Sequence, residues 1–412
     1  MTESVWRNRS FRRFFAGQFV TNAGDSLYTV AVLWLAFDLT GSTGVTGALN
    51  AILLLPWLLQ ILAGPLVDRL PLKGVLVGAQ LAQGIVVLCL PLAAATGYLG
   101  VEVLFAVAPL LMLASLAMAP METAVLPRIV DDGRLSNANA ALATVTLGLD
   151  MVFDALGGAV VATVGTTTLF LADAGTFALA AVLFAGVSLD APESRDEEPS
   201  VRDALGSYRA DLREGIDVLR GTVFVELVLT TAVANFTTGV ALAVLPAFGA
   251  SLGGPLLYGL LLGALGVGRL LGSLVGPYVE GVPFGLVLVT HGLGAACWLA
   301  AVLSSSPALT VLLFGAAWVP VGASGVVSST LNQRVFPTDV LGRVSATKGT
   351  ASGATLPLGS LLGGLAGEAA GVRTTMALAA SGFAFTAAYV LLRPRLRRLP
   401  PVRDAEPSDF GL

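Results

Sequence analysis

The chain has 412 residues, of which 55% are hydrophobic and 12% charged, with a formal net charge of −4. A soluble globular chain carries about a quarter charged residues, so this one has too few to cover the two or three soluble domains its length would otherwise make. The composition points to an all-α polytopic membrane protein rather than a soluble one, and no nucleic-acid partner is expected. The 48 glycines fit that class, because small residues let membrane helices approach closely.

Four arginines, Arg7, Arg9, Arg12 and Arg13, precede an apolar run from Phe14. That run is too long for a signal peptide, lacks a small-residue cleavage site and is followed by many more runs. It is expected to be the first span. A span needs about 20 mainly apolar residues. On that measure the sequence predicts twelve spans, near 14–37, 44–67, 74–96, 101–121, 138–162, 167–188, 224–248, 256–279, 284–304, 308–330, 344–367 and 374–392. The two cysteines, Cys89 and Cys297, both fall inside apolar runs, so packed thiols are expected and no disulfide.

One stretch occurs twice. Residues 62–77 read LAGPLVDRLPLKGVLV and residues 274–289 read LVGPYVEGVPFGLVLV. Gly64, Pro65, Val67 and Pro71 recur as Gly276, Pro277, Val279 and Pro283, and Asp68 maps onto Glu280. Each copy closes one apolar run and opens the next. Duplicated halves of this kind are a mark of secondary transporters. The duplication also supports the Gly- and Thr-rich segments near 138–162 and 344–367, the fifth of their halves.

The longest polar interruption, from Asp190 to Arg220, separates two sets of six spans. Its first part is acidic and expected to be flexible. In its second part Val201, Leu205, Leu212, Ile216 and Leu219 recur at helical spacing, which predicts an amphipathic surface helix. The expected organisation is a first six-helix bundle over 1–189, a linker over 190–222, a second bundle over 223–393 and a tail over 394–412. Placing both termini in the cytoplasm puts the basic residues inside, except Arg373 and the intramembrane Arg269, as the positive-inside rule requires.

Gly64, Asp68, Arg69 and Lys73, between the second and third runs, resemble the signature of the major facilitator superfamily, although Pro71 stands where that signature has a second glycine. Gly24-Asp25, Trp34, Asp38 to Ser42, Ala119-Pro120, Leu126-Pro127-Arg128, Asn137 to Asn139, Leu331 to Pro337 and Leu341 to Val344 resemble one branch, the enterobactin-exporter and macrolide-efflux-like group. The resemblance covers nearly the whole chain. It implies twelve transmembrane helices in two pseudo-symmetric six-helix bundles around a central cavity that opens alternately to either side. It further implies export of amphiphilic small molecules, usually coupled to proton entry.

In that fold Asp68 would meet the start of span eleven, around Arg343 to Lys348, where a carboxylate at a helix amino terminus gains about 0.3–1 kcal/mol. Asp68 is therefore expected to be a latch between conformations. Glu280, followed by Gly281 and Gly285, would be a weaker one.

A charge at the bilayer centre costs at least about 2.5–3.5 kcal/mol, so acids within spans are candidates for function. Asp25 lies mid-span in the first helix. Asp150 and Asp154, four apart in the fifth, share a helical face, and one of so close a pair is suited to carry a proton. Asp154 also stands where drug–proton antiporters often have proline. Asp173, nearer one end of its span, is expected to be an interfacial or satisfied polar residue. Arg269, deep in span eight, needs a partner, and Asp150 or Asp154 is the expected one.

Cavity lining in this fold comes mainly from spans one, four, seven and ten. Those spans offer Asn22, Asp25, Tyr28, Met112, Met118, Asn235, Phe236, Thr237, Thr238 and Trp318. Aromatic, Met and small polar groups suit a bulky, amphiphilic substrate better than a sugar or a phosphate. No P-loop is present, so an ion gradient is the expected energy source, with a proton or sodium as coupling ion. No enzyme activity, metal or cofactor is expected; the expected form is a plasma-membrane monomer. Export of a siderophore or lipid-like metabolite, and a non-transporting sensor or assembly role, are the alternatives.

Overall fold

A computed structural model describes residues 4–55, 71–116, 118–148, 150–189, 210 and 213–412. The described residues are almost wholly helical. In chain order they form α1 (Arg9–Thr40), α2 (Thr43–Leu54), α3 (Leu72–Thr96), α4 (Val101–Ser115), α5 (Met118–Ile129), α6 (Leu135–Gly148), α7 (Asp150–Val164) and α8 (Thr166–Ala185). The second half continues with α9 (Val223–Leu252), α10 (Pro255–Val275), α11 (Phe284–Val289), α12 (His291–Leu303), α13 (Pro307–Ala317), α14 (Val319–Val335), α15 (Thr338–Gly353), α16 (Thr355–Ala370), α17 (Val372–Ala379) and α18 (Ser381–Leu392).

Seven of these helical stretches are long and apolar enough to cross a membrane by length and composition. Three of the seven, Phe284–Leu303, Pro307–Val335 and Val372–Leu392, are each made of two consecutive helices. Thr290, Trp318, Ala354 and Ala380 keep right-handed helical backbone between their flanking helices, so α11–α12, α13–α14, α15–α16 and α17–α18 each run on with a local irregularity. Turn chemistry sets the ends. Gly97 closes α3 at φ 77, a conformation side chains disfavour, and its N–H returns to Ala93 and Ala94 carbonyls. Thr222 opens α9, its hydroxyl accepting from the Phe224 N–H at 3.2 Å.

The chain divides into two compact units: 1–40 with 55–206, and 41–54 with 207–412. In the first unit α1 packs along α8, and α8 along α3. Phe11, Phe14, Leu76, Val125 and Phe184 are buried in its core.

In the second unit, glycines set the spacing between helices. A Cβ at Gly272 of α10 would strike the Val319 carbonyl, and one at Gly322 of α14 the Arg269 carbonyl. Without side chains there, the two backbones lie in direct contact.

Two features depart from the expected organisation. The segment α2, by sequence part of the first half, packs on α16 and α9 of the second unit. Thr43 donates to the Gly364 carbonyl at 2.8 Å, and Asn50 to the Ser360 hydroxyl at 2.9 Å. Gly47 allows this approach, since a Cβ there would lie 2.5 Å from the Ser360 carbonyl oxygen and 2.9 Å from the Gly364 Cα.

The stretch after Leu392, expected to be a tail, is folded. Short helices α19 (Pro394–Arg397) and α20 (Pro407–Phe410) cover the end of the second unit that carries Arg334, Arg343 and Arg393. Leu396, Leu399, Val402, Ala405 and Phe410 are all buried there, and Phe410 stacks on Phe224 at 5.4 Å between ring centroids.

Candidate functional site

On α1, Gln18, Thr21, Asp25 and Tyr28 recur three or four residues apart and share one face. Gly24 lies beside that face at the crossing with α8, where a Cβ would collide with Asp173 and Thr176. Close approach at Gly24 therefore places Asp173 within the α1–α8 packing. Asp173 is 0% exposed. Its Oδ1 lies 3.2 Å from the Thr176 hydroxyl, whose single proton is shared with the Asp173 backbone carbonyl at 2.7 Å, while Oδ2 has no partner among the described residues. The buried Tyr28 hydroxyl is also unpartnered, and its ring lies 6.0 Å from Phe170.

The polar stripe continues toward α3. Thr21 donates to Gln80 at 3.1 Å, and Gln80 reaches the Met118 sulfur at 3.6 Å. Gln18 and Gln83, both buried, hold further unpartnered amide atoms. The sequence alone reads Asp173 as an interfacial or satisfied polar residue. The missed signal was an acid eight residues into a twenty-residue apolar helix, with Thr176 one turn on.

Asp25 itself is exposed on α1, beside Asn22, whose amide donates to the Gln18 carbonyl at 2.8 Å. Asp154 is half-buried on α7. The side chain of Asp150, at the start of α7, lies outside the described residues. Arg269 is an exposed side chain on α10 and belongs to the other unit.

Of the other cavity candidates, Met112, Thr237 and Trp318 are buried, as Tyr28 is. Trp318 sits in an aromatic cluster with Trp298 and Phe383, at 5.5 and 5.2 Å. Met118, Asn235, Phe236 and Thr238 keep partial exposure. The Asn235 amide donates to the Ser352 carbonyl at 3.0 Å, and Thr238 to the Ala234 carbonyl at 2.8 Å.

Gly64, Asp68 and Arg69 of the gating motif lie outside the described residues, and Lys73 is exposed at the start of α3. In the second copy Gly276 is buried against Val326 and Glu280 is half-buried. The basic groups expected to face Asp68 have other bonds. Arg343 donates to Glu214 at 2.5 Å, while Lys348 donates to Asn332 at 2.6 Å and lies 4.5 Å above the Phe224 ring. His291 is buried against Phe383 with Nδ1 3.0 Å from the Leu288 carbonyl, a packed residue. No group of three or more His, Cys, Asp or Glu among the described residues could hold a metal ion.

A family model described as transmembrane secretion effector matches residues 2–410. The chain is 26% identical over 382 residues to the uncharacterized MFS-type transporter YvqJ of Bacillus subtilis (strain 168), covering 90% of this chain and 88% of that one. Among solved structures, a bacterial homolog of the human lysosomal transporter Spinster superposes with a TM-score of 0.70 at 14% identity, covering 97% of this chain and all of that one. The nucleoside transporter NupG does so with a TM-score of 0.67 at 14% identity, covering 93% and 98%. At those identities the likeness speaks for the fold alone: two pseudo-symmetric six-helix bundles. The chain is a multi-pass membrane transporter of the major facilitator type and belongs to the transmembrane secretion effector family.

Proposed function

We propose that this transporter exports amphiphilic small molecules of the drug or macrolide class across the plasma membrane, in exchange for protons and by alternating access. The observation that carries this reading is the exposed carboxylate of Asp25, halfway along an unbroken 32-residue helix whose neighbouring face is polar. An acid in mid-span is costly unless it is used. The family description, secretion effector, supports the outward direction. The sparse charge of Asn22, Met118, Asn235, Phe236 and Thr238 supports an amphiphilic cargo.

Asp150 and Asp154 are further proton-carrying candidates in this scheme. Arg269 pairs with one of them during part of the cycle, and Asp68 latches the cytoplasmic side. Both termini lie in the cytoplasm, by the distribution of Lys and Arg.

Accumulation of a lipophilic cationic dye, in cells with and without the transporter and with and without a proton uncoupler, tests the reading. Lower accumulation that the uncoupler abolishes is expected. Equal accumulation of every compound in a broad panel would favour the non-transporting role instead. Loss of transport in Arg269→Leu at normal expression would support the moving pair, and unchanged transport would remove it.

A further inference from the structure

Of the eight buried polar atoms without a partner among the described residues, five belong to Gln18, Tyr28, Gln83 and Asp173 of the first unit. Four residues on three neighbouring helices thus form a seam inside the α1–α3–α8 packing rather than a scatter of isolated defects. Buried polar groups are normally satisfied, and a carboxylate oxygen left bare in an apolar interior is among the costliest exceptions. Asp173 is that exception. It holds one hydrogen bond, from Thr176, is 0% exposed, and has no cationic side chain in ion-pair contact among the described residues.

We propose that Asp173 is a proton-binding site of this transporter, with Thr176 and Tyr28 as the hydroxyl groups that support its two states. This deepens the proton-coupled reading above and rests on it. Proton uptake forms an O–H bond at Oδ2 and cancels the carboxylate's negative charge. The new hydroxyl then has a proton to donate, and the phenol oxygen of Tyr28, itself without a partner among the described residues and not bonded to Oδ2 here, accepts it once α1 and α8 shift toward each other. On release the proton leaves Oδ2, and Thr176 Oγ1 remains as donor to Oδ1. Both steps exchange one proton and nothing else.

A proton fits this site better than sodium. Helices α1 and α8 are continuous here, so no backbone carbonyls are freed, whereas sodium sites in transporters draw on unwound backbone. The ionisable groups around Asp173 are few. From α1 come Asp25 and Tyr28; α7, which also packs on α8, carries the half-buried Asp154. Packed along α8, α3 contributes the neutral amides Gln80 and Gln83; its ionisable residues, Lys73 and Cys89, are exposed.

The test is a pH titration of purified protein in lipid nanodiscs, followed by infrared difference spectroscopy of the carboxylic C=O stretch. It compares the wild type with Asp173→Asn, Asp154→Asn and Tyr28→Phe. A titrating band from a neutral, buried carboxyl is expected. Asp173→Asn removes its component of that signal, Asp154→Asn retains it, and Tyr28→Phe shifts its frequency. A titrating buried-carboxyl signal as large in Asp173→Asn as in the wild type, or one that vanishes in Asp154→Asn instead, overturns the assignment. Should Asp173→Asn fail to fold, Tyr28→Phe, which keeps the aromatic ring, decides: an unshifted band overturns it. The readout needs no substrate. A wild type that shows the band but moves no dye would remove the export reading and support the site; proton-driven dye efflux unchanged in Asp173→Asn would overturn the site and leave export standing.

Discussion

Glu368 grips the first turn of α2 by its backbone, accepting from the Gly44 N–H at 3.1 Å while the Ser42 hydroxyl donates to the same oxygen. A carboxylate at this position satisfies a helix-terminal N–H and sits at the positive end of the helix dipole. Glu368→Gln keeps the shape and removes the charge. It is expected to cost about 0.3–1 kcal/mol, the range for a dipole interaction at an exposed terminus. Ser42→Ala should weaken the same grip, and the two changes together should be less than additive. Thermal unfolding of the four proteins in one lipid environment measures both terms.

The junction behind that grip depends on bare backbone. Gly47→Val would drive a branched side chain into the Ser360 carbonyl and the Gly364 Cα. Overpacking of this kind costs about 1–3 kcal/mol. The expected result is a lower unfolding temperature and easier proteolysis of the segment around α2. A valine at Gly78, where a Cβ meets open space, is the control that should change little.

The folded carboxyl end leads to a third expectation. Phe410 is 0% exposed and stacked on Phe224, whose ring also lies 4.6 Å from that of Phe336. Removing a buried phenylalanine costs about 3–5 kcal/mol. Phe410→Ala, or a chain ending at Ala405, should therefore unfold at a lower temperature. A residue in a merely solvated tail would leave the midpoint where it was.

The Arg343–Glu214 pair separates two roles of one arginine. Both side chains are more than a third exposed, so the pair itself is worth at most about 1 kcal/mol. Glu214→Ala should leave stability nearly unchanged. If Arg343 also serves Asp68, Arg343→Ala should slow transport far more than Glu214→Ala does at equal expression. Parallel dye-efflux rates for the two variants settle this.

The spans were legible because burying backbone in lipid demands long apolar helices, and composition records that demand directly. Pairing between helices is recorded less plainly. Gly24 was visible as a glycine before an acid, but only the crossing with α8 shows that its missing side chain makes room for Asp173 and Thr176. The same limit applies to α2, whose Thr43, Gly47 and Asn50 announce a close, hydrogen-bonded neighbour without saying which half supplies it. The sequence marks the carboxyl end by its arginines, and its fold is recorded less plainly. Leu396, Leu399, Val402 and Ala405, three apart, carried the signal of a buried face.

The placement of α2 bears on how the polypeptide is made. Gly41, at φ 63, turns the chain out of α1 and hands the next dozen residues to a body whose other parts are translated much later. Until α16 emerges, Thr43 and Asn50 have no permanent hydrogen-bond acceptors, so the early membrane intermediate is incomplete on that face. A gene cut at the central linker would give a downstream product whose Ser360 and Gly364 face lipid, and only co-insertion with the upstream product would cover them.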